Sequence, residues 1–474
     1  MNMKQAILLV GWICLATTTG WSEQVIRIGI GTQDTTINCA AGGSVVRELR
    51  LLEKYLPHDG KYQGVKYDIV WYNFTSGAPA NSEMLANKLD ITNMADFPAI
   101  LGASAFQAAN NGVKTYYIAT LSGSTRGAGN AVVVPLQSKI QSFSELKGKR
   151  ISVPFGSTAH AMLLRAIQDQ GWDPENDVSI ITQAPEVAGS ALKSNQIDAH
   201  ADFVPFGELF PFRGIARKIY DGSSSGLPTT HGVQVRSDFA DKYPELVVAY
   251  LKATIEASQL IREHPEELCT ELAQWTGVEA EVYYAFHGPQ GIQTRDYSLK
   301  PEYVEAIRHA EQTLRVLKKT DRPLDVDSFV NDKFVREACQ ELGLNYDAQL
   351  KDYAAVLFNR DALDTHAPVG DPKLAGQVWV QDEPTVRLYS SVQAALSAAG
   401  KLENAGKKIR VIFAHDRLSG VKLFAERAWF VNKDSNLSAF LLKSDADKWA
   451  KDQGGSVIDY VDAQKAAANG LAGN

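Results

Sequence analysis

Residues 143–160 read F-S-E-L-K-G-K-R-I-S-V-P-F-G-S-T-A-H, and this stretch decides how the rest of the chain is interpreted. Residues 150–153 form a short apolar run that predicts a buried strand, and the glycine and hydroxyl residues that follow are typical of a turn that opens a helix. Met162, Leu163 and Leu164 would lie on that helix. The stretch therefore predicts a strand, a tight turn and a helix in succession.

The same succession recurs on both sides of this stretch. Residues 25–30 predict a strand, 32–38 are polar, and 43–56 have a helical pattern. Further short apolar strands, separated by helical stretches, are predicted at 67–72, 115–118, 131–134 and 178–181. This alternation predicts an α/β fold with parallel sheets.

Helical periodicity dominates the next part of the chain, at 244–262, 301–317 and 331–342, and predicts a helical cap on the α/β part. Residues 365–376 contain two prolines and two glycines that interrupt all periodicity, which predicts an interdomain linker. Beyond it, strands at 378–380, 409–414, 427–431 and 456–460 and helices near 391–399 and 444–453 predict a compact α+β domain over 377–474.

Composition limits the class of protein. The 474 residues suggest roughly three packed units, and 45% hydrophobic with 22% charged residues indicates a globular chain. There are 48 Lys and Arg against 55 Asp and Glu, a formal net charge of −7. Because phosphate backbones are bound by basic surfaces, this balance argues against a nucleic-acid partner.

The first residues have the pattern of a secretory signal. Lys4 precedes an apolar run at 6–16 and small residues, with a cleavage site predicted after Ser22. The run is too short to span a bilayer, and Ile13 before Cys14 does not fit a lipoprotein signal. Residues 1–22 are therefore predicted to be removed, and the mature protein is predicted to lie outside the cytoplasm.

Three cysteines, Cys39, Cys269 and Cys339, remain after such cleavage. An odd number leaves at least one thiol without a partner in the chain.

The segments at 143–149 and 155–160 closely resemble the periplasmic substrate-binding proteins of nitrate, sulfonate and taurine ABC importers. Other segments stand in that family's order: V-I-R-I-G-I at 25–30, L-A-N-K-L-D-I at 85–91, A-L-K-S-N-Q-I-D-A at 191–199 and Y-P-E-L-V-V-A-Y-L-K-A at 243–253. The resemblance covers about residues 25–342. It implies a type II periplasmic-binding-protein fold over 23–364, with lobe one at about 25–121 plus 233–364 and lobe two at about 122–232.

A ligand would then lie between the lobes, at strand ends and helix N-termini. The unpaired amides of a helix that begins at Ser157 or Thr158, together with the two hydroxyls, form a candidate anion cradle, and a plain N-cap is the alternative. The resemblance implies that the ligand-binding residues are Thr36, Asn38, Cys39, Ser76, Asp96, Phe97, Arg126, Gly156, Ser157, Thr158, His160, Asp202 and Phe203.

For Arg126, His160 and His231, an ordinary structural role is an alternative to ligand binding. Arg126 is the one cation expected near the ligand, but an exposed arginine in a turn fits its sequence equally well. For His160 and His231, packing inside the protein is at least as good an interpretation as ligand contact.

Cys39 supports a second hypothesis. Desulfinase-like enzymes with this fold cleave a C–S bond with a cysteine in the loop after the first strand, where Cys39 stands. Such a thiolate needs a helix N-terminus or a base, for which His58 or His160 are candidates. A small buried cysteine is the simpler interpretation.

The C-terminal domain has motifs of its own: Y-S-S at 389–391, A-W-F-V-N-K at 428–433, S-A-F-L at 438–441 and D-A-D-K-W-A-K-D-Q-G-G-S-V-I-D-Y at 445–460. Over about 371–463 these resemble the NosL family of small copper-delivery proteins. Copper(I) carriers use soft Cys and Met ligands, yet neither residue occurs after the linker. The domain is therefore expected to serve docking, with a weak copper(II) or zinc site at His366, His415 and Asp416 as the alternative.

The sequence thus predicts a non-enzymatic, extracytoplasmic solute-binding protein that needs no cofactor. It would capture a small anion of the nitrate, sulfonate, taurine or thiocyanate class and present it to an ABC permease. A periplasmic copper protein is the expected partner of the appended domain. The alternatives are the cysteine-dependent C–S bond hydrolase and a copper-handling accessory protein.

Overall fold

The computed structural model describes residues 24–320, 322–352, 358 and 360–469. The predicted signal segment 1–22, with Lys4 and Cys14, lies outside the described residues. Two mixed sheets flanked by helices form two lobes, a helical region follows, and a unit with two small sheets ends the described chain. The predicted α/β fold with an appended α+β unit is confirmed.

Lobe one is built on a five-stranded sheet. Its strands are β1 (Val25–Thr32), β2 (Lys66–Asn73), β3 (Ile91–Ala95), β4 (Thr115–Ser124) and β10 (Thr229–Arg236), in the order β2-β1-β3-β10-β4. Its helices are α1 (Ser44–Glu48), α2 (Leu51–Tyr55), α3 (Gly77–Leu85) and α4 (Asp96–Ala109). Strand β1 pairs in parallel with β2 and β3, so the loops that follow these three strands meet at one edge of the sheet.

Lobe two repeats this arrangement. Its strands are β5 (Ala131–Pro135), β6 (Arg150–Val153), β7 (Ser179–Thr182), β8 (Ala199–Asp202) and β9 (Ala216–Asp221), in the order β7-β6-β8-β5-β9. Its helices are α5 (Thr158–Asp169), α6 (Pro185–Lys193) and α7 (Phe206–Phe212). The strand, turn and helix predicted from residues 143–160 are β6 and α5.

The chain crosses between the lobes twice, from β4 to β5 and from β9 to β10. The predicted borders at 121/122 and 232/233 fall inside strands, because β4 and β10 pair antiparallel as far as Ser124 and Thr229. The crossings are therefore the segments 125–130 and 222–228.

The helical region packs on lobe one. It contains α8 (Ser237–Lys242), α9 (Pro244–Glu263), α10 (Pro265–Thr276), α11 (Ala280–His287), α12 (Pro301–Val316), α13 (Val326–Phe329), α14 (Lys333–Glu341) and α15 (Tyr346–Gln349). The helices predicted at 244–262, 301–317 and 331–342 are α9, α12 and α14. The helix predicted at 43–56 is divided into α1 and α2, because Arg50 has a φ of 54° and interrupts the helix.

The C-terminal unit consists of two antiparallel sheets. Strands β11 (Gly376–Val380), β12 (Arg387–Tyr389), β13 (Ile409–His415) and β14 (Lys422–Phe424) form one sheet, and β15 (Trp429–Lys433), β16 (Asn436–Phe440) and β17 (Ser456–Ile458) form the other. Helices α16 (Val392–Asn404), α17 (Lys443–Gln453) and α18 (Tyr460–Asn469) pack beside them. The predicted strands fall on β11, β13, β15 and β17, whereas β12, β14, β16 and α18 were not predicted.

The C-terminal unit contacts helices of the preceding region. The ring of Tyr284 in α11 lies 5.2 Å from Trp379 and 5.5 Å from Phe413, measured between centroids. Arg410 donates a hydrogen bond of 2.7 Å to Glu281, also in α11. Aromatic packing and an ion pair thus attach the first C-terminal sheet to α11.

The same unit also contacts lobe two. The ring of Phe424 lies 5.0 Å from that of Phe212 at the end of α7, and Arg427 donates to the Pro211 carbonyl at 2.9 Å. One small domain is therefore attached both to lobe two and to the helices packed on lobe one.

Among the described residues, no helix is long and apolar enough to cross a membrane. Cys39, Cys269 and Cys339 are buried free thiols.

Candidate functional site

A cavity of about 30 Å³ lies between the two lobes. Lobe one lines it with Gln33, Thr36, Ser76, Gly77, Ala78, Ala95, Pro98 and His231, and lobe two with Pro154, Phe155, Gly156, Ser157, Thr158 and Phe203. Since one water molecule needs about 10–15 Å³ of such volume, the cavity holds only a few heavy atoms.

Two helix N-termini, one from each lobe, meet at this cavity. Helix α3 begins at Gly77 after the N-cap Ser76, and α5 begins at Thr158 after the N-cap Ser157. The first amides of a helix lack partners within the helix, and its dipole places partial positive charge at this end. The two termini together favour a small anion.

The hydroxyls at the start of α5 serve the protein itself. Ser157 Oγ donates to the Pro154 carbonyl at 2.6 Å and accepts from the His160 amide at 3.2 Å, which is the geometry of an N-cap. Thr158 Oγ1 donates to Asn130 Oδ1 at 3.1 Å. Ser157 is therefore a plain N-cap residue of α5. The donors that remain for a ligand are the first backbone amides of this helix.

His231 adds a side-chain donor to the cavity, and its tautomer follows from a chain of hydrogen bonds. Gln293 Nε2 donates to the Ala128 carbonyl at 2.7 Å, so its Oε1 faces Asn38 and accepts from Asn38 Nδ2 at 2.6 Å. The same Nδ2 lies 2.9 Å from His231 Nδ1, which must therefore accept. The proton of the neutral ring is then on Nε2, and burial keeps the ring neutral by lowering the pKa of His231 to about 3.

Replacing His231 by Phe is expected to weaken anion binding at least tenfold, because it removes a hydrogen bond to a charged group, worth about 1.5–3 kcal/mol. Calorimetry at pH 7 measures the loss, and an unchanged melting temperature serves as the control for folding. The pH dependence is measured in Asp96→Asn, because the pKa of Asp96 is about 7 and its carboxylate lies next to His231. In that variant affinity should stay constant from pH 8 to pH 5, since the pKa of His231 is about 3. A steep rise in its affinity below pH 6.5 would contradict the neutral tautomer.

Arg295 places a positive charge behind the cavity. It is buried and donates from Nη2 to the carbonyl of Ile37 at 3.1 Å, while its Nε and Nη1 have no hydrogen-bond partner among the described residues. Burial lowers the pKa of Arg295 to about 10, so the guanidinium stays protonated at neutral pH. Its charge lies next to the short 3₁₀ helix Ile37–Cys39, which directly follows the cavity residue Thr36.

The cavity brings together about half of the residues predicted for the site. These are Thr36, Ser76, Gly156, Ser157, Thr158 and Phe203. Asn38 lies directly behind them, bound to His231.

Other predicted residues lie elsewhere. Asp96 and Phe97 line a separate groove of about 480 Å³ between the lobes, which shares Thr158 with the cavity. Asp96 accepts from the amides of Phe97 and Thr230, and burial raises its pKa to about 7. Asp202 is buried and hydrogen-bonded to His200 at 2.7 Å, so both of these carboxylates have structural partners.

The two predicted residues with basic side chains do not line the cavity. Arg126 is exposed, as the alternative interpretation expected. His160 is buried in α5, stacked on Phe155 with 4.7 Å between ring centroids, and burial lowers its pKa to about 4. The cation near the cavity is Arg295, and the histidine in it is His231.

Cys39 is fully buried. Burial raises the pKa of the Cys39 thiol, and the negative charge of Asp34 raises it further. The positive charge of Arg295 offsets only part of this increase. The candidate base His58 is exposed at the protein surface. A protonated thiol that does not line the cavity is a poor nucleophile, so the geometry does not favour the hydrolase hypothesis.

The three residues considered for a metal do not form a cluster. Asp416 accepts from the amides of Ser419 and Leu441, and His415 Nδ1 lies 3.1 Å from the Ala375 carbonyl, whereas His366 is exposed in a turn. Within the described ranges no group of three His, Cys, Asp or Glu side chains is placed to hold a metal ion.

Comparison with known proteins finds sequence relatives and similar structures for the two lobes. Residues 54–277 match the model of the NMT1-like family. A putative aliphatic sulfonates-binding protein of Bacillus subtilis (strain 168) is 26% identical over 279 residues, which is 59% of this chain and 80% of the relative. The taurine-binding periplasmic protein of Escherichia coli (strain K12) is 29% identical over 218 residues, 44% of this chain and 64% of the relative.

Solved structures agree on the fold. The alkanesulfonate-binding protein SsuA from Xanthomonas axonopodis pv. citri, bound to MOPS, superposes with a TM-score of 0.54 at 21% identity and covers 64% of this chain and 98% of its own. The periplasmic nitrate-binding protein NrtA from Synechocystis PCC 6803 has a TM-score of 0.52 at 17% identity and covers 71% of this chain and 94% of its own. The NosL resemblance of the C-terminal unit stays a prediction. Residues 54–277 are thus similar to the NMT1-like family, and the two lobes have the fold seen in these periplasmic binding proteins.

Proposed function

We propose that this protein is a periplasmic solute-binding protein that captures a small anion of the nitrate, sulfonate or taurine class for an ABC importer. The observation that carries the proposal is the meeting of the N-termini of α3 and α5, one from each lobe, at one small cavity with the neutral His231. The relatives named as sulfonate- and taurine-binding proteins support the same class of ligand. The permease is the proposed partner.

A protein with a net negative charge can bind an anion in this way because the affinity is determined by the few groups that contact the ligand. A micromolar ligand requires about 8 kcal/mol, and hydrogen bonds to a charged group contribute about 1.5–3 kcal/mol each, so a few amides and one imidazole N–H suffice. Closing the lobes excludes water, which strengthens these interactions. The size of the cavity restricts it to the charged head group, and any organic tail would extend into the neighbouring groove at Thr158.

Isothermal titration of the purified protein with nitrate, thiocyanate, taurine and methanesulfonate tests this function. At least one of these anions should bind with a micromolar or lower Kd, and mass spectrometry should recover it unchanged. Ammonium and urea serve as controls that should not bind. If none of the anions binds, the proposed function is wrong, and if the anion is consumed by the parent but not by Cys39→Ala, the protein is an enzyme.

For the C-terminal domain we propose docking rather than copper delivery. The absence of Cys and Met after the linker and the burial of His415 support this role. Equilibrium dialysis of the full chain against copper(II) should leave no stoichiometric copper bound. Copper that binds to the parent and not to His415→Ala would contradict the proposal.

A further inference from the structure

A second cavity, of about 490 Å³, lies between lobe two and the C-terminal unit. Its volume is typical of sites for small organic molecules, whereas the cavity between the lobes holds only a few atoms. Apolar side chains from both units form much of its wall, among them Leu136, Trp429 and Val461. It shares no lining residue with the anion cavity.

A buried group of charges stands in the wall of this cavity. Glu208 in α7 forms an ion pair with Lys218, and Lys218 also pairs with Asp221 at 3.0 Å. The three side chains are almost fully buried, with exposed fractions of 7%, 8% and 0%. Two carboxylates against one ammonium leave one negative charge in excess.

One of these two carboxylates, that of Glu208, has an oxygen without a donor in the described part of the chain. Glu208 lines the cavity, and its Oε2 has no hydrogen-bond partner among the described residues. Burial raises the pKa of Glu208 to about 7, as expected for a carboxylate that lacks enough donors. A buried acceptor without a donor is costly, and a donor on a bound ligand would remove that cost.

The arginines in the wall are already engaged by other groups. Arg217 donates to the carbonyls of Ser138 and Ile140, and Arg427 donates to the Pro211 carbonyl. They are therefore poorly placed to pair with an acidic ligand.

Lys422, which also lines the cavity, directs its ammonium elsewhere. Its Nζ lies 4.5 Å from the ring centroid of Tyr284 and 5.3 Å from that of Phe413, and neither ring belongs to the cavity wall. Two side chains of this wall thus have a polar atom without a hydrogen-bond partner among the described residues, Glu208 Oε2 and Lys422 Nζ. Because the ammonium of Lys422 lies against the two rings, the acceptor of Glu208 is the one left for a ligand.

We propose that the cavity between lobe two and the C-terminal unit binds a small organic amine, with its ammonium group at Glu208 and its apolar body against Trp429 and Leu136. This ligand is distinct from the anion held between the lobes, so the protein has two sites, one that prefers a cation and one that prefers an anion.

Phenethylamine and 3-phenylpropionate are suitable probes because they have similar apolar bodies and opposite charges. At pH 8 the parent protein should show a melting temperature that rises with phenethylamine concentration, and titration calorimetry should give a measurable Kd. The carboxylate probe should bind at least tenfold more weakly. Failure of the amine to bind, or equal binding of the two probes, would overturn the proposal.

Glu208→Gln keeps the size of the side chain and an acceptor for Lys218, and should weaken amine binding at least tenfold. Glu175→Gln is the matched control, because Glu175 is an exposed residue of lobe two that does not line this cavity, and it should leave binding unchanged. A second variant, Leu136→Trp, fills the cavity and should abolish amine binding even if Glu208→Gln folds poorly. Binding of the amine that survives both variants would refute the site.

Measuring anion binding by the Glu208→Gln variant distinguishes a failure of the amine-site proposal from a failure of the proposed function. The variant should bind the anion as the parent does, since Glu208 does not line the anion cavity. Loss of amine binding together with loss of anion binding would indicate a misfolded lobe and would not support the amine site.

Discussion

Ser76→Asp should abolish anion binding, with the Kd raised at least 100-fold. Ser76 is the N-cap of α3 and lines the anion cavity, and its side chain makes no capping hydrogen bond. An aspartate at this position would place a negative charge in the wall of the cavity that holds the anion. Two like charges about 5 Å apart repel by about 3 kcal/mol at an effective dielectric constant of about 20, which is more than a hundredfold in Kd.

The substitution also carries its own control for folding. Aspartate is a favourable N-cap residue, so the melting temperature should stay the same or rise. Ser76→Asn is the matched variant, since it has the same shape and capping ability without the charge, and its Kd should stay within about threefold of the parent. If Asp and Asn weaken binding equally, the effect is steric and the cavity does not discriminate by charge.

Lys422→Met should stabilise the protein at pH 6 by about 1–4 kcal/mol, the range found when buried charges are replaced by apolar side chains. Lys422 is 1% exposed, and its ammonium has no hydrogen-bond partner in the described part of the chain. Burial lowers the pKa of Lys422 to about 7, from 10.5 for the free side chain. The rings of Tyr284 and Phe413 offset only part of this cost.

The pH dependence of this effect has a definite sign. Below pH 7 the lysine is charged in both the folded and the unfolded protein, and the folded state carries the full cost of burying the charge. Between pH 7 and 10.5 only the unfolded state holds the proton, so the parent gains about 1.4 kcal/mol per pH unit from this residue. The advantage of Lys422→Met should therefore shrink as the pH rises to 10.

Urea unfolding of the parent and variant at pH 6 and pH 10 measures both quantities. Lys443→Met is the control, because Lys443 is partly exposed and paired with Asp447, and it should change the free energy of unfolding by less than about 0.5 kcal/mol. A variant Lys422→Met that is less stable than the parent at pH 6 would show that the ammonium has a favourable partner.

The elements that the sequence predicted well are those set by local patterns. Strand β6 and the start of α5 follow from an apolar run, a turn and a hydroxyl N-cap within about ten residues of one another. The stripe on α9 follows from regular spacing of Leu246, Tyr250 and Ala253, all of which are buried. Such signals need no knowledge of the rest of the chain.

The parts of the site that were missed or left undecided depend on distant contacts. His231 and Gln293 are separated from Asn38 by 193 and 255 residues, and only the double crossing between the lobes brings them together. Arg295 lies in a short polar segment without periodicity, so nothing in its surroundings marks it as the buried cation. Lys422 occurs in a three-residue strand, where a lysine is normally expected to face solvent.

The attachment of the C-terminal unit to both lobes has a mechanical consequence. If lobe two swings away from lobe one, α7 moves relative to α11, and the ring contact between Phe212 and Phe424 or that between Tyr284 and Trp379 must shift or break. Part of the free energy needed to open the lobes is then determined at the interface of the C-terminal unit with α7 and α11, which does not contact the anion cavity. If the proposed function is correct, replacing Phe424 should change the rate at which the anion is released, even though Phe424 does not line the cavity between the lobes.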